Sequence, residues 1–526
     1  MARINTNVPS IVAQANLRRS NAELDLRLQR LSTGLRINRG KDDPAGMIIS
    51  ERITTDLKGI EQGIKNGERA ASVIATTEAA LTEVADLLNT IKALMVEAAN
   101  TGANSPEERD ANQLQIDSAI QSITRISNTA TFGGLKLLNG NLDYVTSGIA
   151  SSAITKARIF SASFINNQAV EVEVDTVASA QTAGLFLNGD APGANPPYGN
   201  GAIQSTTTIR IEGSRGVQEL TFTSGTSYAD IVTAVNSRTE LTGVTAELLT
   251  GGATSGLVFR SEKYGSNEFV SVTRVGAPAD SSDNGWALYK IAGNAAWPDD
   301  SNGFNWASRI SSGNLVSADR DTGQDVQALI NGTLATGRGL TVSINSTSLA
   351  LELDLHEDLA TDPSATATTF HITEGGSLFQ LGPDINALQQ VSIGVGSVAA
   401  EKLGGTLDNG SMFFLSSLMK GQPNSIEENV RNGDFTTASD IIDRAIDEIS
   451  TLRGRLGAFE RNVLETNSRS LQAAFENLTA SQSRIRDADF ALETSQLTRA
   501  QILQASGTTV LGLANQQSQS VLQLLG

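Results

Sequence analysis

The chain has 526 residues, 39% of them apolar and only 18% charged, with no cysteine, two histidines and a formal net charge of −18. The missing thiols exclude a disulfide framework, a thiolate metal site and a cysteine nucleophile, and the acidic balance argues against nucleic acid as a partner. No apolar run approaches the roughly 20 residues that span a bilayer, and residues 1–7 lack the basic-then-apolar layout of a cleaved secretory signal.

The charge is unevenly placed. Residues 1–145 carry 16 Lys/Arg and 17 Asp/Glu, residues 430–526 carry 9 and 11, and residues 146–429 carry 14 and 29. The centre also holds 18 of the 24 aromatic side chains, including Trp286, Trp297 and Trp306, and eight of the 11 prolines. Composition therefore predicts two near-neutral, proline-poor ends around an acidic centre.

The N-terminal block reads as helix. Leu17, Leu24, Leu28, Leu31 and Leu35 follow a heptad seam. Pro44 disfavours helix at the residue before it, so Lys41-Asp42-Asp43-Pro44-Ala45-Gly46 marks a break. A second seam runs through Ile74, Thr77, Leu81, Val84, Leu88, Ile91 and Met95 and stops near Asn100-Thr101-Gly102. Ser105 then fits an N-cap, Pro106 the first turn, and Glu108 the return bond of a capping box. Ile116, Ile120 and Ile123 give that third helix its apolar face.

The centre changes period. Val170-Glu171-Val172-Glu173-Val174-Asp175 and Thr207-Thr208-Ile209-Arg210-Ile211-Glu212 alternate at two, as half-buried strands do. Gly213-Ser214-Arg215-Gly216 predicts a hairpin leading to Leu220–Phe222, and residues 228–236 read as one short helix. A related unit is expected over residues 325–344, around Asn331-Gly332 and Gly337-Arg338-Gly339. The acidic surface keeps these β-rich domains solvated.

The C-terminal block returns to heptads. Ile442, Ala445, Ile449, Leu452, Leu456, Phe459 and Val463 alternate at three and four, and the stripe then slides one position to Leu464, Leu471, Phe475, Leu478 and Ile485. Such a slide is expected when a 3.6-residue helix meets a seven-residue repeat. A last seam is read at Leu503, Val510, Ala514, Val521 and Leu524, with Gln517 filling one position. After Glu493 the only charged residue is Arg499, and Gln501, Gln504, Gln516, Gln517, Gln519 and Gln523 surround the seam. Chain ends usually fray, so two heptad ends, the last of them nearly uncharged, predict order found in each other or in a partner.

No catalytic constellation emerges. His356-Glu357 lacks the second histidine four residues after the first that a zinc-protease helix needs, because position 360 is Ala360. His356 and His371 are expected in loops or on strand faces. Gly394-Val395-Gly396-Ser397-Val398-Ala399 matches a dinucleotide fingerprint without its downstream acid or a βαβ series. Asp299-Asp300 reads as a solvated loop. Neither a metal nor an organic cofactor is expected, and no enzyme is predicted.

Several motifs agree on one family. Leu31-Ser32-Thr33-Gly34-Leu35-Arg36-Ile37-Asn38-Arg39-Gly40-Lys41-Asp42-Asp43-Pro44-Ala45-Gly46, with Ile4-Asn5-Thr6-Asn7 before it, resembles the N-terminal signature of bacterial flagellin. Arg486-Asp487-Ala488-Asp489-Phe490-Ala491, Leu497-Thr498-Arg499-Ala500-Gln501-Ile502-Leu503 and the stretch from Leu511 to Leu525 resemble its C-terminal signature. Phe379-Gln380-Leu381-Gly382 resembles the strand that returns the chain from the variable domains. The resemblance covers about 145 residues at one end and 150 at the other.

The resemblance implies an α+β multidomain fold, with N- and C-terminal helices paired as a coiled coil or helical bundle and β-rich outer domains inserted. It implies an inner core of residues 1–44 with 486–526, a helical shell with a β-hairpin from 45–175 with 370–485, and a variable exterior over 176–369. It implies self-polymerisation into the extracellular flagellar filament for swimming, after export through the flagellar secretion channel without a cleaved signal. The implied partners are further copies of the chain, an export chaperone at the C-terminal helix, and hook-associated and cap proteins, with no nucleic acid and no membrane insertion. A hook–filament junction protein sharing the same helical ends is the alternative, and the large insertion and full C-terminal helix favour the filament subunit.

Within that frame the seams at Leu24, Leu28, Leu31 and Leu35 and at Leu503, Val510, Val521 and Leu524 are expected to meet inside one subunit. Their low-charge outer sides would lie against neighbours. The eight Arg/Lys of residues 1–41, set against only Glu23 and Asp25, are expected near neighbours' carboxylates or facing the channel. Family members detected by the vertebrate innate flagellin receptor use an Arg and a Leu on the second helix and a Glu on the third. Leu94 matches, whereas the Arg position falls on Thr90 and the Glu position on Gln115 or Leu114. The resemblance thus implies weak activation of that receptor.

Overall fold

The computed structural model describes residues 6–525 except 165–167, 189–200, 204–205, 250–255, 277–287, 293–303, 305, 347, 365 and 409–410. Trp286, Trp297 and Asp299-Asp300 lie outside the described residues. Helix α1 spans Val8–Thr33: the Asn7 side chain accepts the Ser10 N–H at 3.1 Å to cap it, and Gly34 closes it in the left-handed region (φ 71°). Helix α2 begins at Pro44, where Asp43 Oδ1 accepts the Gly46 N–H at 2.9 Å, and runs unbroken for 56 residues to Ala99. Proline suits a first turn because the N–H it lacks has no partner there. Helix α3 (Pro106–Thr129) carries the expected capping box: Ser105 Oγ accepts the Glu108 N–H at 3.2 Å and Glu108 Oε2 accepts the Ser105 N–H at 2.8 Å.

The chain divides into two compact units, Met1–Ile74, Phe379–Gln390 and Gly457–Gly526 forming one, Ala75–Leu378 with Val391–Leu456 the other. In the second unit, Leu81, Val84, Leu88, Ile91 and Met95 of α2 are buried, as are Ile442, Ile449 and Leu456 of the return helix Thr436–Phe459. Leu452 is half-buried. In the first unit, Ile74 is buried and Phe459 and Val463 are half-buried.

Apart from two short hairpins, Thr131–Phe132 with Leu135–Lys136 and Thr406–Asp408 with Ser411–Phe413, the described β structure of the second unit forms two modules. In the first, a five-stranded sheet orders Thr333–Leu334, Gln327–Ile330, Val170–Ala178, Thr368–Gly375 and Tyr144–Ser147. A four-stranded sheet orders Thr336–Arg338, Thr341–Asn345, Leu349–Leu355 and Ile154–Ala162. Val172, Val174, Ile330, Leu351, Leu353 and Phe370 fill the shared core. The alternating Val/Glu run works as expected: Val172 and Val174 are buried while Glu171 and Glu173 stay exposed. The second module lies within residues 182–322. Its predicted hairpin pairs Thr207–Gly213 with Val217–Phe222, placing Ile209 opposite Leu220. Helix α4 spans Tyr228–Asn236 and inserts Ile231 and Val235 between Leu185, Ile211 and Phe259.

Three expectations need correction. Residues 325–344 do not repeat the 207–236 unit. Gln327–Ile330 turns through Asn331 (φ 49°) and Gly332 (φ 74°) in one sheet, Thr336–Arg338 and Thr341–Asn345 belong to another, and no helix follows them directly. The exterior expected over 176–369 also divides. Residues 182–322 make sheets of their own, whereas the strands from Gln327 to Leu355 return to pair with Val170–Ala178 and Ile154–Ala162. The crossing point is narrow: Gln181 and Gln324 lie side by side as an antiparallel bridge, with N–H···O bonds of 3.0 and 2.8 Å.

The third correction concerns the slide of the C-terminal stripe. A π-helical turn, Glu460–Leu464, sits between the helices Thr436–Phe459 and Glu465–Arg486. That turn inserts one residue into the ladder and rotates the next apolar face abruptly, so Leu464 is buried. Gradual drift is not the cause.

The return helix docks on the first β module through charge. Arg158 contacts Glu352, Asp354 at 3.4 Å and Glu448 at 3.0 Å, Lys156 meets Glu448 at 2.5 Å, and the Arg455 guanidinium lies 3.4 Å from the Phe160 ring centre. Desolvation pushes the Arg455 pKa down.

Candidate functional site

The chemistry-bearing pattern in this chain is a surface, and it lies in the first unit, where α1 packs antiparallel on the terminal helix Phe490–Leu525. Polar bonds fix the register at both ends. Asn7 Nδ2 donates to the Ala514 carbonyl at 3.0 Å and Ser10 Oγ to Asn515 Oδ1 at 2.8 Å. At the other end Leu35 bridges Asp487, the Arg36 N–H donates to the Arg486 carbonyl at 2.7 Å, and the Ala488 N–H donates to the Gly34 carbonyl at 2.9 Å. Between them Glu493 is 3% exposed and accepts from Arg27 Nη1 at 3.0 and 3.2 Å and from Arg30 Nη1 at 3.0 Å.

The seam itself differs from the expected one. On α1, Leu17, Leu24, Leu31 and Leu35 are half-buried, but Leu28 is 47% exposed. On the terminal helix Leu503 (43%) and Val510 (51%) are exposed, while Ala514 is buried as expected. The side chains of Val521 and Leu524 lie outside the described residues. The inward stripe is Glu493, Leu497, Ala500, Gln504, Gly507, Leu511 and Ala514, a repeat of four and three. Small side chains let the backbones approach, and a Cβ on Gly507 would sit 3.3 Å from the Leu17 side chain. Large apolar residues drew the periodicity to the wrong side; the recurrence of Ala500, Gly507 and Ala514 at seven was the signal that marked the right one. Glu493, the last acid in the chain, was missed as well. Two of the eight N-terminal cations, Arg27 and Arg30, are therefore paired inside the chain instead of reaching a neighbour or a channel.

The pair leaves many large apolar side chains outside. Val8, Ile11, Val12, Phe490, Leu492, Ile502, Leu503, Val510 and Leu513 are all exposed large hydrophobics. Exposed apolar side chains gathered in this way mark an interaction surface. The glycine-rich turn after α1 is itself ordered: the N–H groups of Arg39 and Asn38 bond Asp42 Oδ2 at 2.9 and 3.1 Å and hold its carboxyl below the ordinary carboxylate range, and Ile37 is buried.

The remaining sequence candidates are scattered. His356 caps the short helix Glu357–Thr361, its Nδ1 accepting the Asp358 N–H at 3.3 Å, and His371 is exposed opposite Glu171. Residues 394–399 form no helix; Val395 bridges Leu142. Of the receptor-like positions, Leu94 is buried, Thr90 is exposed with its hydroxyl donating to the Asp86 carbonyl, and Leu114 and Gln115 are exposed.

Residues 4–143 match the bacterial flagellin N-terminal helical region, residues 439–525 the bacterial flagellin C-terminal helical region, and residues 208–263 the flagellin hook IN motif, together more than half of the chain. The chain belongs to the flagellin family. Similarity extends over its whole length: it is 28% identical over 99% of both chains to a flagellin of Salmonella rubislaw. It is 27% identical over 99% of both to the B-type flagellin of Pseudomonas aeruginosa, and 28% over 99% of both to the flagellin of Escherichia coli K12. The two helical matches of this flagellin family member take in α1 and the described part of the terminal helix seam. The hook IN match coincides with one supersecondary unit: the hairpin, α4 and the strands Val244–Leu248 and Gly256–Ser261.

Proposed function

We propose that this flagellin-family chain is the structural subunit of a bacterial flagellar filament, assembling with copies of itself for swimming motility. The observation that carries the reading is the apolar band left outside the α1–terminal helix pair. Its burial against neighbouring copies, at about 25 cal/mol per Å2, stabilises a polymer without any single strong contact. Different faces of one chain meeting in this way make a heterologous contact that does not close, which generates a helix of subunits.

In this reading residues 1–44 and 486–526 form the inner core, residues 45–175 and 370–485 with the returning strands from Gln327 to Leu355 the shell, and the module within residues 182–322 the solvated exterior. Before assembly the terminal helix is the surface an export chaperone covers, and hook-associated and cap proteins flank the finished polymer outside the cell. The role is structural and uses no cofactor.

Assembly of purified monomer after heating and cooling, followed by electron microscopy, tests this. The full chain should grow long filaments, and a chain lacking residues 487–526 should stay a folded monomer with β-module melting unchanged. Filaments from the truncated chain would overturn the role given to the helix pair. A full chain limited to short assemblies would favour a junction protein.

A further inference from the structure

The loop Leu381–Gln389 in the first unit is built to hold two large apolar side chains in water. Ile385 is 90% exposed and Leu388 96%. The loop around them is locked. Gln389 Oε1 accepts the Asp384 N–H at 2.7 Å, Gln389 Nε2 donates to Asp384 Oδ2 at 3.1 Å, and Asn386 Oδ1 accepts the Gln389 N–H at 3.0 Å. Gln380 Nε2 donates to the carbonyls of Gly382 and Asp384, and the Leu381 N–H to that of Gln389. Two helices clamp its base, Asn66 Nδ2 on the Gln380 carbonyl at 3.0 Å and Asn467 Nδ2 on the Leu381 carbonyl at 2.9 Å. A knob ordered in advance loses little entropy when it docks.

We propose that Ile385 and Leu388 insert into an apolar face of a second copy of this chain. The proposal rests on the filament reading above. Charge selects the occupant. The loop carries one carboxylate, Asp384, and no Lys or Arg occurs anywhere from residue 339 to 401. A matching face must be apolar and free of acids. The outer face of the terminal helix meets both conditions, since Ile502, Leu503, Val510 and Leu513 are exposed and no acid follows Glu493, while Arg499 supplies a cation. Knob and face are different surfaces of one chain, so their contact is heterologous and propagates.

The cysteine-free sequence allows a direct test. Ile385→Cys introduces the only thiol, which should react with maleimide in the monomer and about tenfold or more slowly in the filament; equal rates would overturn the proposal. The double variant Ile385→Ser/Leu388→Ser should keep the monomer's melting temperature, because both side chains are outside the fold. It should raise the critical concentration for assembly about tenfold or more. Wild-type chain that assembles alongside an unimpaired double variant refutes the knob alone. Wild-type chain that never polymerises refutes the filament reading and the knob with it.

Discussion

Glu493 sits between two guanidinium groups in a seam otherwise made of Leu, Ala, Gly and Gln, and it is the only charge of the terminal helix that faces inward among the described residues. A buried carboxylate of this kind sets register, because sliding the helices by one residue would strip Glu493 of both its guanidinium partners, while Arg27 would keep only the half-exposed Glu23 at 3.6 Å. The Nε atoms of Arg27 and Arg30 have no bond even in place, so the site has no reserve. Glu493→Ala should destabilise the pairing by about 3 kcal/mol, read as faster amide exchange along α1 with little change in the β modules. Unchanged exchange along α1 would show that the small-residue packing alone fixes the register. Residue chemistry was legible in the sequence where local bonds decide it, as at Ser105 and Glu108. It was illegible at Glu493, whose partners lie more than 460 positions away.

Elements show the same division. The long α2 and the capped α3 follow from periodicity and end signals, but the glycines inside α2 follow from a contact no local rule sees. Glycine costs about 1 kcal/mol against alanine within a helix. Gly59 and Gly63 remain because the loop Leu381–Gln389 seats there: a Cβ on Gly59 would lie 2.8 Å from Pro383 Cβ, and one on Gly63 3.0 Å from the Leu381 carbonyl. Gly67, one turn beyond Gly63, meets nothing within 4 Å. Gly59→Val should therefore lower stability by about 1–3 kcal/mol through overpacking, and Gly67→Ala should raise it by up to about 1 kcal/mol; denaturant midpoints with equal slopes would measure both. A stabilised Gly59→Val would refute the seating role. The π turn was similarly hidden, since a one-residue slip of an apolar stripe reads the same whether it accrues slowly or at one turn.

Across the whole molecule the charge separates by unit more sharply than by sequence block. Met1–Ile74, Phe379–Gln390 and Gly457–Gly526 together hold 17 Lys/Arg and 15 Asp/Glu, leaving 22 and 42 for the rest. Self-association gathers many copies of a unit of net −20, whose mutual repulsion salt screens; the Debye length falls from about 30 Å at 0.01 M to about 8 Å at 0.15 M. The critical concentration for assembly should fall over that range, measured by sedimentation, and a rise would mean that ion pairs between copies dominate. The overall plan, helical ends around an acidic β centre, was readable from composition because each part needs a different surface. The course of the chain through that centre was not, since pairing partners such as Val174 and Ile330 are remote in sequence. That course has a consequence at Gln181 and Gln324. A chain that departs and re-enters at adjacent residues encloses a removable parcel: residues 182–322 can be lengthened, traded for another fold or omitted, and the two ends outside them still meet at the same place, so lineages can vary what this protein displays without rethreading what carries it.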